Sequence, residues 1–487
     1  MNKMKNFIRL FLIFTVLVTI LSCDKNEARK PPNVVIIFID DMGYGDLSCY
    51  GNVAVKTPNM DALASQGVRF TNFYVNSPIC SPSRVALNTG TYPMRHKIHS
   101  YIASSTQNRN RAMADFLDPS VMTIARTLSN NGYATGHFGK WHMGGGRDLG
   151  DVPYPTDYGF DKSFVAFEGI GDRLLFPNHG LSNQSEKLGN GEIVWAPKHA
   201  STSIYIDSAL TFVRNCKEQP FYINLCPNDV HDPHLPELSS VEKWRSATEN
   251  PYEQKFFAVL EELDNQIGRL VSELDKIGKL ENTIIIFASD NGPTDWPYYY
   301  NSERYPEDYT GKLYAPGFTG GLSGRKWSLF EGGIREPFFV YWKGHFPADK
   351  VDEKTIVSAI DIFPSLCSLL GIEIPEDIDG TDKSQAFGGT EMEDVPAIMW
   401  EYASNPGGSI LPGNKKNISP NLAIRQGNWK LLINADSTDI MLFNLEKDPG
   451  EKLNLAAQNT ELAGEMVAQI LAWRRSMPVD VSDNKGE

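Results

Sequence analysis

Two pairs of oxygen-bearing side chains, Asp40-Asp41 and Asp290-Asn291, follow closely on continuous apolar runs, Asn33 to Ile39 and Asn282 to Ala288. In open parallel sheets ligands gather beyond the carboxyl ends of the strands. Two neighbouring strand ends carrying these groups would make a cage for a hard divalent cation. Mixed carboxylate and carboxamide oxygens in irregular geometry suit calcium; magnesium, which requires a tighter octahedron and keeps more water, is the alternative. A lone Asp-Asp is ordinarily a turn or helix-capping pair, but two such pairs directly after buried strands point to a metal. Gly43, Gly45 and Gly292 just beyond them are expected to let the backbone turn sharply.

A second chemical feature is the run Cys80-Ser81-Pro82-Ser83-Arg84, followed by Val85-Ala86-Leu87-Asn88-Thr89-Gly90. Taken alone, Cys80 reads as a small buried apolar residue, the usual fate of a free cysteine. Six cysteines in 487 residues do not make a disulfide scaffold, and at most one or two bridges could form. The net charge of −14 argues against nucleic acid and against long-range attraction of any polyanion. An anionic substrate would need positive charge gathered locally.

The elements that must position these groups alternate between short apolar runs and amphipathic stretches, the pattern of an α/β domain. The runs at 33–39 and 282–288 are continuously apolar, which predicts central strands covered on both faces. Pro220 to Cys226 and Glu336 to Trp342 read similarly, and Tyr133 to His137 is a weaker strand. Helices are predicted at 122–128, 203–213 and 252–277. In the last, Phe256, Leu260, Leu263, Ile267, Leu270, Leu274 and Ile277 form one apolar stripe that Gly278 ends. After about residue 385, short strands at 397–402, 422–425, 429–433 and 440–445 and a helix at 461–474 predict a small antiparallel sheet packed by one helix. The fold class is therefore a large, mostly parallel central sheet flanked by helices on both faces, with that smaller C-terminal sheet. The domains read as 33–385 and 386–480.

Lys3, Lys5 and Arg9 precede an apolar stretch from Phe7 to Leu21, and Ile20-Leu21-Ser22-Cys23 resembles a bacterial lipoprotein processing box. Residues 1–23 then form a signal peptide ending in a lipidated Cys23, with 24–32 as a polar tether to the membrane lipid. The expectation is an exported bacterial lipoprotein, periplasmic or associated with the outer membrane.

Taken together, Asp40-Asp41-Met42-Gly43-Tyr44-Gly45-Asp46, the Cys80 run, Gly139-Lys140-Trp141-His142-Met143-Gly144, Ser289-Asp290-Asn291-Gly292, and Lys326 with Glu331-Gly332-Gly333-Ile334-Arg335-Glu336-Pro337 resemble, in order, the motifs of the formylglycine-dependent (type I) sulfatases of the alkaline phosphatase superfamily. Two C-terminal runs, Ala423 to Leu431 and Asp448 to Leu455, resemble that family's second domain. The resemblance implies that Cys80 is oxidised to formylglycine by a formylglycine-generating or anaerobic sulfatase-maturating enzyme. Hydrated to a gem-diol, it would attack sulfur and form a covalent sulfoenzyme intermediate. It also implies that Asp40, Asp41, Asp290 and Asn291, with residue 80, hold the metal, and that Arg84 neutralises the hydrate. By the same resemblance Lys140 and Lys326 bind sulfate, and His142 is the base that helps expel it. For the histidine near the leaving oxygen, the one directly after the proline of Val230-His231-Asp232-Pro233-His234 usually aligns, so His234 is chosen ahead of His231.

Substrate identity is less legible. Trp296, Tyr298, Tyr299, Tyr300, Tyr305, Tyr309 and Tyr314 lie between Asn291 and Lys326 and offer flat faces to a sugar, and Arg147 and Arg173 are further candidates for hydroxyl recognition. The expected substrate is an O-sulfate on a galactose or N-acetylhexosamine of a sulfated polysaccharide. The alternatives are a phosphodiesterase or phosphonate hydrolase of the same superfamily and an inactive relative that binds sulfated glycan.

Overall fold

Seven consecutive buried residues need cover on both faces, and Asn33–Ile39 (β1) has it. In the computed structural model, which describes residues 30–144, 152–168, 173–175, 193–294, 315–393, 396–403 and 410–478, β1 pairs in parallel with Phe221–Cys226 (β8) and with Thr283–Ser289 (β9). The residues to Pro32 fall in a unit of their own, and the body of the protein begins at Asn33.

The ten-stranded sheet runs Lys350–Asp352 (β11), Val68–Phe70 (β2), Phe338–Trp342 (β10), β9, β1, β8, Ala134–Lys140 (β4), Lys162–Ala166 (β5), Arg173–Leu175 (β6), Ile193–Trp195 (β7). From β9 to β5 every neighbouring pair is parallel. β10 joins β9 in the antiparallel sense, as do the β5–β6 and β6–β7 pairs at the other edge. A separate pair, Phe73–Tyr74 (β3) with Val357–Ser358 (β12), leads the chain toward Cys80.

Side chains alternate across a strand, and here both sets are apolar. Val34, Ile36 and Phe38 face a core shared with Ile284, Ile286 and the helices Cys80–Thr89, Ile124–Asn130 and Ile362–Leu370. Val35, Ile37 and Ile39 face a second core with Ile285, Phe287 and the helices Lys198–Cys216 and Pro251–Lys276. The long helix starts where Asn250 Oδ1 accepts from Tyr252 N–H (3.0 Å), with Pro251 in its first turn. It ends before Gly278, whose φ of +69° suits glycine.

The expected elements are present with shifted ends. The weak strand at 133–137 continues to Lys140 and so delivers that lysine to the sheet edge. The helix expected at 203–213 begins at Lys198. The strand expected from Glu336 starts at Phe338. β2, β6, β7 and β11, each of three residues, are too short to show a period in the sequence.

The C-terminal sheet is antiparallel, in the order Ile398–Glu401 (β13), Leu422–Gln426 (β14), Trp429–Ile433 (β15), Met441–Asn444 (β16). One face, with Leu422, Ile424, Leu431, Ile433 and Leu442, packs on Ala463, Met466 and Ile470 of the helix Thr460–Ser476. Trp400, Ala423, Leu432 and Phe443 instead belong to the core of the main sheet, so the two sheets share apolar interior.

Leu263 is fully buried at the centre of the long helix's stripe. Leu263→Ala is expected to lower the free energy of unfolding by about 2–5 kcal/mol, read as a shift in the urea denaturation midpoint; a shift below about 1 kcal/mol would contradict this packing.

Candidate functional site

Because β9, β1, β8 and β4 are parallel neighbours, their carboxyl ends lie along one edge of the sheet. Asp40-Asp41 follows β1, Asp290-Asn291 follows β9 after Ser289, Lys140 closes β4 with His142 two residues on, and the segment after β8 brings His231. Residue 80 arrives from the side as the first residue of Cys80–Thr89, where unpaired N–H groups and the helix dipole favour negative charge. Arg84, one turn along the same helix, points to the same place.

These groups converge. Lys140 Nζ donates to Asp40 Oδ1 (2.7 Å) and Oδ2 (2.9 Å). Lys326 Nζ donates to both oxygens of Asp41 (2.6 Å each) and lies 3.6 Å from Cys80 Sγ. One arginine nitrogen, Nη2 of Arg84, spans Asp40 Oδ1 (3.2 Å) and Asp290 Oδ2 (2.6 Å). Asp41 N–H donates to Asp290 Oδ1 (3.1 Å), tying the two strand ends together. Ile102 links the two sides of the site: its N–H donates to Ser81 Oγ (3.0 Å), and its carbonyl accepts from His142 Nε2 (3.1 Å).

The electrostatics follow from burial. Burial by itself would raise the Asp40 pKa, but Lys140, His231, Arg84 and Lys326 together hold it well below the carboxylate range. For Asp290 burial wins: against Arg84 and with Asp40 close by, its pKa is pushed up to about 7. Burial also pushes the Cys80 thiol far up despite Lys140 and Lys326, so the unmodified side chain is a protonated thiol and a poor nucleophile at neutral pH. Burial, Lys140 and Arg84 keep His142 neutral. With Nε2 donating to Ile102, its Nδ1 is a base, buried and without a hydrogen-bond partner.

Three non-glycine residues at the site hold left-handed backbone: Asp41 (φ +63°), His142 (φ +52°) and Trp327 (φ +69°), next to Lys326. Each such conformation costs on the order of 1–3 kcal/mol, is kept only where the surroundings enforce it, and clusters at functional sites.

The donor set fits a hard divalent cation. Asp40, Asp41 and Asp290 bring carboxylates together, and Asn291 Oδ1 is a buried oxygen with no hydrogen-bond partner although its Nδ2 donates to Asp41 Oδ1 (2.7 Å). An orphaned buried acceptor beside three acids is what a cation would satisfy. Ligand atoms of Asp40, Asp41, Cys80 and His231 also lie within 4.8 Å of one another, which places residue 80 against the same position.

Some expectations change. His234 is turned away: its Nε2 bonds the Val230 carbonyl (2.9 Å) and its ring packs on Phe256 (5.2 Å between centroids). His231 takes the place at the site, with Nε2 3.4 Å from Lys326 Nζ and 3.5 Å from Asp41 Oδ2. The glycines act by close approach and not by a special turn: a Cβ on Gly292 would sit 2.0 Å from the Gly332 carbonyl oxygen, and one on Gly43 2.7 Å from that of Phe318. Lys198, absent from the sequence reading, is buried and donates to the carbonyls of His231 and Pro233, fixing the turn that presents His231. A lone lysine at the start of a helix gives no signal of this in sequence. Arg147, the aromatic residues between Trp296 and Tyr314, and Cys23 lie outside the described residues, as does the side chain of Arg173 in β6. The five cysteines that are described are free.

The family model described as sulfatase matches residues 32–372, and that of the N-sulphoglucosamine sulphohydrolase C-terminal region matches 324–476. The chain is 31% identical over 525 residues to an N-acetylgalactosamine-6-O-sulfatase of Bacteroides thetaiotaomicron, covering 95% of this chain and 98% of that protein. It is 30% identical to arylsulfatase A of Homo sapiens, covering 88% and 83%. A solved structure from work on the metabolism of multiple glycosaminoglycans by Bacteroides thetaiotaomicron superimposes with a TM-score of 0.72 at 27% identity, covering 92% of this chain and 100% of that one.

After treatment with EDTA, the protein is expected to bind one equivalent of calcium or magnesium in isothermal titration calorimetry. Asn291→Leu should weaken that binding by about tenfold or more, at least the effect of losing an outer-shell partner; unchanged affinity would remove Asn291 from the ligand set.

Proposed function

Since the chain belongs to the sulfatase family and is a sulfuric ester hydrolase, we propose that it removes an O-sulfate from a carbohydrate using formylglycine made from Cys80 and a bound calcium ion. The observation that carries this reading is the gathering of Arg84, Lys140 and Lys326 on the acids around residue 80, with Lys326 Nζ 3.6 Å from its sulfur. A sulfate monoester resists attack because its oxygens repel a nucleophile, so a site for it must neutralise charge while holding the attacking group in line. In a chain of net charge −14, this local gathering of cations, with the charge of the bound cation added, is what an anionic ester requires.

Asp40, Asp41, Asp290 and Asn291 would hold the calcium, which supplies positive charge against the ester oxygens and favours ionisation of a hydroxyl at residue 80. Lys140 and Lys326 bind and orient the sulfate, and Arg84 fixes Asp40 and Asp290 behind it. His231 Nδ1 donates to the Asp232 carbonyl, so its Nε2 lone pair faces the Lys326 ammonium, and this pair delivers the proton to the departing sugar oxygen. His142 Nδ1 takes the proton whose loss lets the hydrate at residue 80 collapse to the aldehyde and expel sulfate.

A galactose or N-acetylhexosamine sulfate is supported as substrate by the similarity to the N-acetylgalactosamine-6-O-sulfatase along nearly the whole of both chains. The leader sequence supports export, lipidation at Cys23 and attachment to the periplasmic or outer-membrane surface, with a maturase acting on Cys80.

Mass spectrometry of the peptide containing residue 80 should show the aldehyde in place of the thiol. Sulfated N-acetylhexosamines and galactose are expected to be turned over far faster than matched phosphodiesters, and the opposite order would overturn the sulfatase reading. Cys80→Ala should lower kcat/KM by about 10³-fold or more with the fold intact, the scale on which loss of a nucleophile is felt. Among the histidines, His231→Ala is expected to cost about 10²-fold in kcat, whereas equal losses for His231→Ala and His234→Ala would contradict the assignment to His231.

A further inference from the structure

Lys326 and Cys80 meet at 3.6 Å although 246 positions separate them in the chain, and neither sits on a strand of the main sheet. What holds them in register is a set of contacts that runs through the C-terminal sheet. The two segments touch each other directly, with Trp327 N–H donating to the Pro78 carbonyl (2.9 Å) and Val75 N–H to that of Ile334 (2.9 Å).

Both are then gripped from the same side by a buried charge cluster. Glu331 has no solvent exposure; its Oε2 accepts from Tyr74 Oη (2.6 Å) and its Oε1 from Lys430 Nζ (2.8 Å). Lys430, on β15, also forms an ion pair with Glu451 Oε1 (2.9 Å), though without hydrogen-bond geometry. Glu451 Oε2 closes the ring by accepting from the backbone N–H of Glu331 (2.7 Å). Arg425, paired with Lys430 across β14 and β15, donates to Tyr74 Oη. Tyr74 precedes Cys80 by a short segment, and Glu331 follows Lys326 by another.

A buried ion cluster commonly stabilises a fold no more than well-packed apolar residues of the same shape. It differs in directionality: fixed donors and acceptors allow one register, whereas an apolar face tolerates sliding. We propose that Glu331, Lys430 and Glu451 are positioning residues that set the separation between residue 80 and Lys326, making the C-terminal sheet part of the catalytic apparatus. This rests on the reading that Lys326 binds the sulfate.

The test compares Lys430→Met and Glu451→Gln with the wild type in turnover of a sulfated N-acetylhexosamine and in competitive inhibition by inorganic sulfate, with rates normalised to folded enzyme from thermal melts. Loss of folded protein alone lowers the maximal rate and leaves KM and the sulfate inhibition constant unchanged. Displacement of Lys326 is expected to lower kcat and to raise both constants, each by about 10- to 100-fold, the scale of a misplacement near 1 Å. Lys430→Arg, which restores the charge, should recover part of both. Should Lys430→Met fail to fold, Glu451→Gln carries the test. Unchanged KM and sulfate inhibition in the folded variants would overturn the proposal. If Lys326→Ala itself keeps wild-type turnover and sulfate inhibition, the underlying assignment of Lys326 fails instead.

Discussion

Three aspartates, Asp40, Asp41 and Asp290, are buried side by side at the edge of a sheet, and carboxylates cannot leave water in that way without positive charge beside them. Arg84, Lys140 and Lys326 are drawn from three different parts of the chain to meet that requirement, each in direct contact with at least one of the acids. The same cations that make the acids tolerable are those an anionic ester would meet. On the proposed reading, compensation of buried charge and recognition of sulfate are one arrangement serving two ends.

The parallel sheet makes this convergence geometrically simple. Four neighbouring strands pointing the same way deliver their following residues to one edge, and apolar cover on both faces keeps water from screening the charges. The helix Cys80–Thr89 then places residue 80 and Arg84 one turn apart on one face. Where regular structure does not suffice, the backbone is forced into left-handed geometry at Asp41, His142 and Trp327, and the packed surroundings hold it there.

Lys326 has a different kind of support. It stands in an irregular segment whose place is set by the Pro78 carbonyl on one side and by the Glu331 cluster on the other. The C-terminal sheet shares the apolar interior of the main one through Trp400, Ala423, Leu432 and Phe443. Similarity to the relatives likewise extends along nearly the whole chain, as it does for the N-acetylgalactosamine-6-O-sulfatase.

The amino-acid sequence by itself determined the kinds of the longer elements and most of the residues that gather at the site. Unbroken apolar runs mark β1 and β9, a stripe at helical spacing marks Pro251–Lys276, and Asp-Asp, Asp-Asn and the Cys80 run stand where strands or helices deliver them. Such features depend on near neighbours in the chain, so they can be read there. Tertiary structure alone decided that His231 and not His234 faces the acids, that Lys198 braces that turn, that Gly292 is needed for close approach to Gly332, and that Glu331 reaches Lys430. Those outcomes depend on distances between residues far apart in the chain, and such distances are fixed only when the sheet closes and buried charges find their partners.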